Sequence, residues 1–151
     1  MKKTLLLLAA IVFAVTACNK STYVDGTYSA EFDAPDSRGW QAFVQFTLTE
    51  DAISDVDFDY YDANMNRKSE DTAYNSRMLS ITGVTNPEMY SPAIEANIAN
   101  ATIVPAFDSI DIVTGATHSC HDANILVEAA LESAADGGET EVTVVQPDPA
   151  K

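Results

Sequence analysis

Residues 41–60 leave this chain little choice of local structure. Ala42, Val44, Phe46 and Leu48 alternate with Gln41, Gln45, Thr47 and Thr49, and Val56, Phe58 and Tyr60 then alternate with Asp55, Asp57 and Asp59. A period of two is that of a strand with one buried face. Glu50 to Ala52 is too short for anything but a turn, so the two strands are predicted to pair as an antiparallel hairpin. Gly26 to Asp33 reads as an earlier strand, which extends the hairpin to a meander. Asp55, Asp57 and Asp59 share a parity and are expected on the wet face rather than as a row of metal ligands.

Helical signals follow. Glu70 to Met78 has helical character, with Tyr74 and Met78 one turn apart. Asn86-Pro87 breaks the chain, and Ser91-Pro92 has the order of a cap followed by a first-turn proline, predicting a second helix that buries Ile94 and Ile98. Pro105 ends that region, and Ser109 to Val113 alternates like a short strand. Ile125, Leu126, Ala129, Ala130 and Ala134 recur at helical spacing until Gly137-Gly138, and Glu141 to Val145 has the look of an edge strand before a Pro-rich tail, residues 146–151. Strands first and helices after imply an α+β fold, a small antiparallel sheet packed with helices in a single domain over residues 24–145. No internal repeat is present.

The N-terminus has the pattern of an export signal. Lys2 and Lys3 precede an apolar run from Leu5 to Val15, too short to span a bilayer as an anchor. Val15-Thr16-Ala17-Cys18 resembles a lipobox. Residues 1–17 are then a lipoprotein signal peptide, Cys18 is the acylated first residue, and residues 18–23 form anchor and linker. Two acyl chains hold a protein stably on a membrane. The expected location is the exported side of the cell membrane. Six basic residues then face 23 acidic ones, a formal charge of −17 for the mature chain. Such a polyanion has no basic patch for nucleic acid, and anionic headgroups repel it. With Cys18 lipidated, Cys120 has no partner for a disulfide within the chain.

The segment Asp111-Ile112-Val113-Thr114-Gly115-Ala116-Thr117-His118-Ser119 places a hydroxyl on a small-residue turn between an apolar strand and an amphipathic helix. Ser119 with Asp122 three residues on reads as a helix cap with an acid at the third helical position, so Thr117 lies just before the helix start. Free N–H groups and the positive end of the helix dipole favour a phosphate there. Gly115 and Ala116 allow it close to the backbone.

This pattern resembles the flavinylation motif, Asp-x-x-Ser/Thr-Gly-Ala-Thr, of FMN-binding-domain proteins, and in its longer form is similar to the lipoproteins of extracellular electron transfer. Asp25-Gly26-Thr27-Tyr28, Gly39-Trp40, Val56 to Tyr60, Ser69-Glu70-Asp71, Tyr74-Asn75 and Met78 match in order. Two positions depart, Ala52 for a turn glycine and Cys120 for a small hydroxyl residue. The resemblance implies one FMN, esterified through its phosphate to Thr117 by a flavin transferase that uses FAD. It makes Asp111 and Thr114 recognition or loop-fixing positions, and places His118 and Ser119 beside the flavin and Trp40 and Tyr74 against its ring. It further implies an electron carrier, rather than a stand-alone catalyst, between a membrane quinol or flavoprotein donor and an extracellular acceptor.

Other chemistry has less to work with. His118, Cys120 and His121 straddle a helix start without an evident fourth ligand, and neither a Gly-x-Ser-x-Gly elbow nor a hydrolase triad is present. The alternative reading is a non-redox lipoprotein that binds a ligand or partner, and a further alternative makes its leader peptide a released pheromone.

Overall fold

The computed structural model describes residues 21–147; the leader, Cys18 and residues 148–151 lie outside the described residues. Strands β1 (Gly26–Phe32), β2 (Gln41–Thr49) and β3 (Ala52–Tyr61) form the expected antiparallel meander. Glu50 and Asp51, at φ 50° and 60°, make a two-residue turn between Thr49 and its pair-mate Ala52. Left-handed backbone costs a non-glycine residue ~1 kcal/mol or more. Polar contacts offset this: the Asp51 carboxylate accepts the N–H groups of Thr22 and Tyr23, and Glu50 donates its N–H to Asp25. Because Ala52 already belongs to β3, the turn asks no glycine of that position.

The regular alternation of β3 hides a bulge. Gln45 pairs with Asp57 but Thr47 with Ser54, so one residue of β2 opposes two of β3, and Asp55 takes φ 50°. Parity switches there, from Ile53 facing the core to Phe58 and Tyr60 facing it. The three aspartates do not share a wet face. Asp55 is exposed at the bulge and Asp57 half-exposed, while Asp59 is only 2% exposed. The chain after β3 folds back over Asp59, with Ser69 Oγ donating to it at 2.5 Å and Arg67 Nε at 3.7 Å.

A single helical turn, Lys68–Glu70, leads into α1 (Thr72–Thr82), which starts later than predicted because Asp71 caps it, accepting the Tyr74 N–H at 2.9 Å. It runs on to Gly83, whose φ of 66° closes the helix. Helix α2 (Pro87–Ala99) starts one turn earlier than predicted: Asn86 accepts the Met89 N–H at 3.0 Å and Pro87 takes the first helical position. Pro92 therefore lies inside the helix, and Ser91 is a buried residue of the second turn rather than its cap. Ile94 and Ile98 are buried as expected.

Helix α3 (Thr117–Asp136) lays Cys120, Ala123, Leu126, Val127, Ala130, Leu131 and Ala134 into the core and ends at Gly137, φ 63°. Strand β4 (Glu141–Val144) then joins the edge beside β1 but runs parallel to it, so the sheet is mixed, in the order β3-β2-β1-β4. The helices cover the face carrying Phe32, Val44, Phe46 and Phe58. Two boundaries widen: Tyr23, assigned to the linker, is buried with its hydroxyl on Ile103 O at 2.9 Å, and Gln146, assigned to the tail, bonds Asp33.

The predicted strand Ser109–Val113 does not form. It pairs with no strand among the described residues; Ile110 is buried but Ile112 is 67% exposed. Side chains replace the ladder. Asn124 Oδ1 accepts the Ile110 N–H, Asn97 donates to Asp111 O (both 2.9 Å), and Cys120 Sγ accepts the Val113 N–H at 3.3 Å. Truncating Leu126, wholly buried in α3, is expected to cost about 2–5 kcal/mol, whereas Ile112→Ala should stay within about 0.5 kcal/mol of wild type. Urea unfolding measures both; a cost above ~1.5 kcal/mol for Ile112→Ala would restore it to the core.

Candidate functional site

The turn that introduces α3 is built from Val113 to Ala116, whose N–H donates back to Val113 O at 2.9 Å. Gly115 has φ 79°, and a Cβ there would lie 2.9 Å from Thr85 Cγ2. Only glycine meets both demands. The turn thereby sits against Val84 and Thr85, the link between α1 and α2.

Thr117 is the first residue of α3 and is exposed, as are Asp111, Thr114 and Gly115; Ala116 is buried beneath them. Ser119 is not the cap. It lies inside the first turn and is buried, and no side chain among the described residues caps the helix. Asp122, expected to close a capping box, points inward instead. The N–H groups of Thr117, His118 and Ser119 meet no acceptor among the described residues. An uncapped helix start with an exposed hydroxyl at its first position is the arrangement that holds an anionic group.

Behind this turn lies a buried polar chain. His118 is 66% exposed, and its Nε2 is 3.5 Å from Asp122 Oδ2, which also accepts the Tyr60 hydroxyl at 2.7 Å. Asp122 Oδ1 has no partner among the described residues. Burial pushes the Asp122 carboxyl up from its ordinary range, against the Tyr60 hydrogen bond and the charges of His118, His121 and Lys68. Burial and the Asp122 charge together push the Tyr60 phenol well up. The Ser119 hydroxyl, beside the phenols of Tyr60 and Tyr90, acts the other way on both.

Tyr60 leads to the residue that sequence reasoning missed. Lys68 is 5% exposed, with Nζ 4.1 Å from the ring centre of Tyr60, 5.3 Å from that of Tyr74 and 5.6 Å from that of Trp40. Trp40 and Tyr74, each expected against the flavin ring, lie edge to face at 5.7 Å with the Lys68 ammonium beside both. Three ring faces favour the ammonium; burial disfavours it more and lowers its pKa to about 8. The one available signal was that Lys68 stands alone, without another lysine between Lys20 and Lys151. Asn75, buried, ties this corner together by donating to Ser69 O at 2.7 Å and accepting the Glu88 N–H at 3.2 Å. Cys120 turns inward to Val113 while His118 and His121 are exposed, and among the described residues no three His, Cys, Asp or Glu side chains cluster as metal ligands.

The lowered Lys68 pKa has a definite effect on stability. Between pH 8 and 10.5 the unfolded chain holds a proton that the folded chain has released, so stability rises with pH through that interval. Above pH 10 the raised pKa values of Tyr60 and Tyr90 act in the opposite sense, which makes pH 8–10 the useful window. Relative to Lys68→Met, wild type should gain about 2 kcal/mol across it in urea titrations. Parallel pH profiles would mean that Lys68 is not depressed.

No family model matches the chain. It is 29% identical over 121 residues to a 15 kDa lipoprotein of Treponema pallidum (strain Nichols), a match covering 80% of this chain and 83% of that one. Among solved structures, it is similar to the crystal structure of the CPE2226 protein from Clostridium perfringens, with a TM-score of 0.73 and 27% identity over 83% of this chain and 99% of the other.

Proposed function

We propose that this chain is an exported, lipid-anchored flavoprotein that carries one FMN on Thr117 and relays electrons from a membrane quinol or flavoprotein to an extracellular acceptor. The lipoprotein part draws support from the lipobox ending at Cys18 and from the lipoprotein relative. The flavin part rests above all on the exposed hydroxyl of Thr117 at an uncapped helix start, behind a glycine whose position admits no side chain.

The chain has features that suit the group. Thr117 Oγ is the nucleophile toward FAD inside the transferase: its bond to the FMN phosphorus forms as the pyrophosphate bond breaks, AMP leaves and the hydroxyl proton passes to a base. The N–H groups of Thr117, His118 and Ser119 would hold the ester phosphate. Asp111 and Thr114, exposed on the approach, are available to the transferase. Tyr74, only partly buried, is an aromatic partner of suitable size, and Trp40, buried against it, backs its ring. The flavin ring supplies the redox chemistry; the protein supplies its attachment and electrostatic surroundings. Covalent attachment prevents loss by dilution outside the cell.

Intact mass spectrometry tests the flavin reading. Co-expression with a flavin transferase should add the mass of FMN less water to wild type and nothing to Thr117→Ala, with far-UV circular dichroism unchanged; an unmodified wild type would sink the reading. Anchoring is tested separately by detergent-phase partitioning, which Cys18→Ala should abolish. Retention of that variant in the detergent phase would show the anchor lies elsewhere.

A further inference from the structure

The positive charges of this acidic molecule are not scattered. Against 23 acidic residues in the chain, the described residues carry four Lys and Arg: Arg38, Arg67, Lys68 and Arg77. Arg67 is committed to Asp57 and Asp59. The other three gather at one corner. Arg38 and Arg77 line a depression of about 460 Å³ whose remaining walls are Tyr74, Met78, Ile81 and Thr82, with no carboxylate among them. Lys68 lies behind its Tyr74 wall, close enough to feel the charge of Arg38. Neither guanidinium makes an ion pair with a described residue, and the nearby Asp36 carboxylate is turned back onto the N–H groups of Arg38 and Trp40.

Two contacts place this depression next to the acceptor turn. Arg38 also lines the adjoining hollow that contains His118, the neighbour of Thr117. On the other side, Thr82 bonds Thr85 O at 3.0 Å, and Thr85 is the residue against which Gly115 packs. The apolar side chains of Met78 and Ile81, the Tyr74 ring and two guanidinium groups without an ion pair among the described residues suit a planar aromatic group that becomes negatively charged.

We propose that the depression between Arg38 and Arg77 receives the isoalloxazine ring of a flavin carried on Thr117 and binds its reduced, anionic form more tightly than its oxidised form. This rests on the flavin reading above. Uptake of two electrons and one proton leaves the ring with a single negative charge; in a titration the electrons come from dithionite and the proton from the buffer. Oxidised ring is neutral and gains little from the guanidinium groups, so their effect is differential. The pair thus opposes, locally, the repulsion of electrons by the chain's overall negative charge.

The test is the two-electron midpoint of the purified, flavinylated protein, followed by its visible spectrum. Replacing both arginines, Arg38→Gln with Arg77→Gln, should weaken binding of the reduced ring relative to the oxidised ring at least tenfold, a midpoint fall of about 30 mV. The charge-keeping pair Arg38→Lys with Arg77→Lys should recover most of that loss. Gln45→Glu with Asn64→Asp, on the far side of the sheet and before the helical corner, changes net charge by the same two units and should move the midpoint by less than half as much. Equal shifts in the two double variants, or no shift with the glutamines, would overturn the placement of the ring while the covalent flavin mass remained. Absence of that mass from wild type would overturn both readings.

Discussion

An ammonium group enclosed by aromatic rings governs the helical side of this molecule. Lys68 reaches inward from the turn after β3 and touches Tyr60 from the sheet, Trp40 from the start of β2 and Tyr74 from α1. A buried charge costs several kcal/mol to desolvate, and each ring returns roughly 0.5–2 kcal/mol. The balance is close, so the contacts must be kept together to be kept at all. That requirement fixes where the segment 62–71 crosses the sheet, and with it the entry of α1. It also explains why Asp59 is covered: the same crossing lays Arg67 and Ser69 on its carboxylate.

The polar chain from Lys68 through Tyr60 and Asp122 to His118 links this enclosure to the exposed turn at Thr117. Each member is held by a neighbour from a different element, so the site is assembled by tertiary packing rather than presented by one loop. The turn itself is braced in the same manner. Asn97 from α2 and Asn124 and Cys120 from α3 bond its backbone, and Gly115 fits against Thr85. Rigid elements therefore position a segment that has no regular structure of its own.

What could be read from the sequence follows from how local each signal is. The β2–β3 hairpin was legible because its period and turn length are local, and the C-terminal stop of α3 because Gly137 accepts the left-handed backbone that ends a helix. The bulge at Asp55 has only a faint local mark, a three-residue step from Ile53 to Val56 in a pattern that otherwise steps by two. Ser119 and Ser91 were misread for one reason: a hydroxyl before an apolar run signals a cap, but the same hydroxyl suits a buried polar position, and the cap signal of Asn86-Pro87 lay one turn earlier. Ser109 to Val113 has strand alternation without a strand to pair with. Of the site, the small-residue turn at the start of α3 was legible; Lys68 and Asp122 were not, because their burial depends on residues far away in sequence.

The bond from the Val113 N–H to Cys120 Sγ turns an odd cysteine into an interior fastener. At 1% exposure the sulfur is enclosed by its own helix and the turn it holds. Thiol–disulfide exchange needs a thiolate that another sulfur can approach in line, and this one offers no approach. Even in oxidising surroundings, burial thus keeps Cys120 of the folded chain out of intermolecular disulfides. The folded state that uses the sulfur as an acceptor is the same state that hides it.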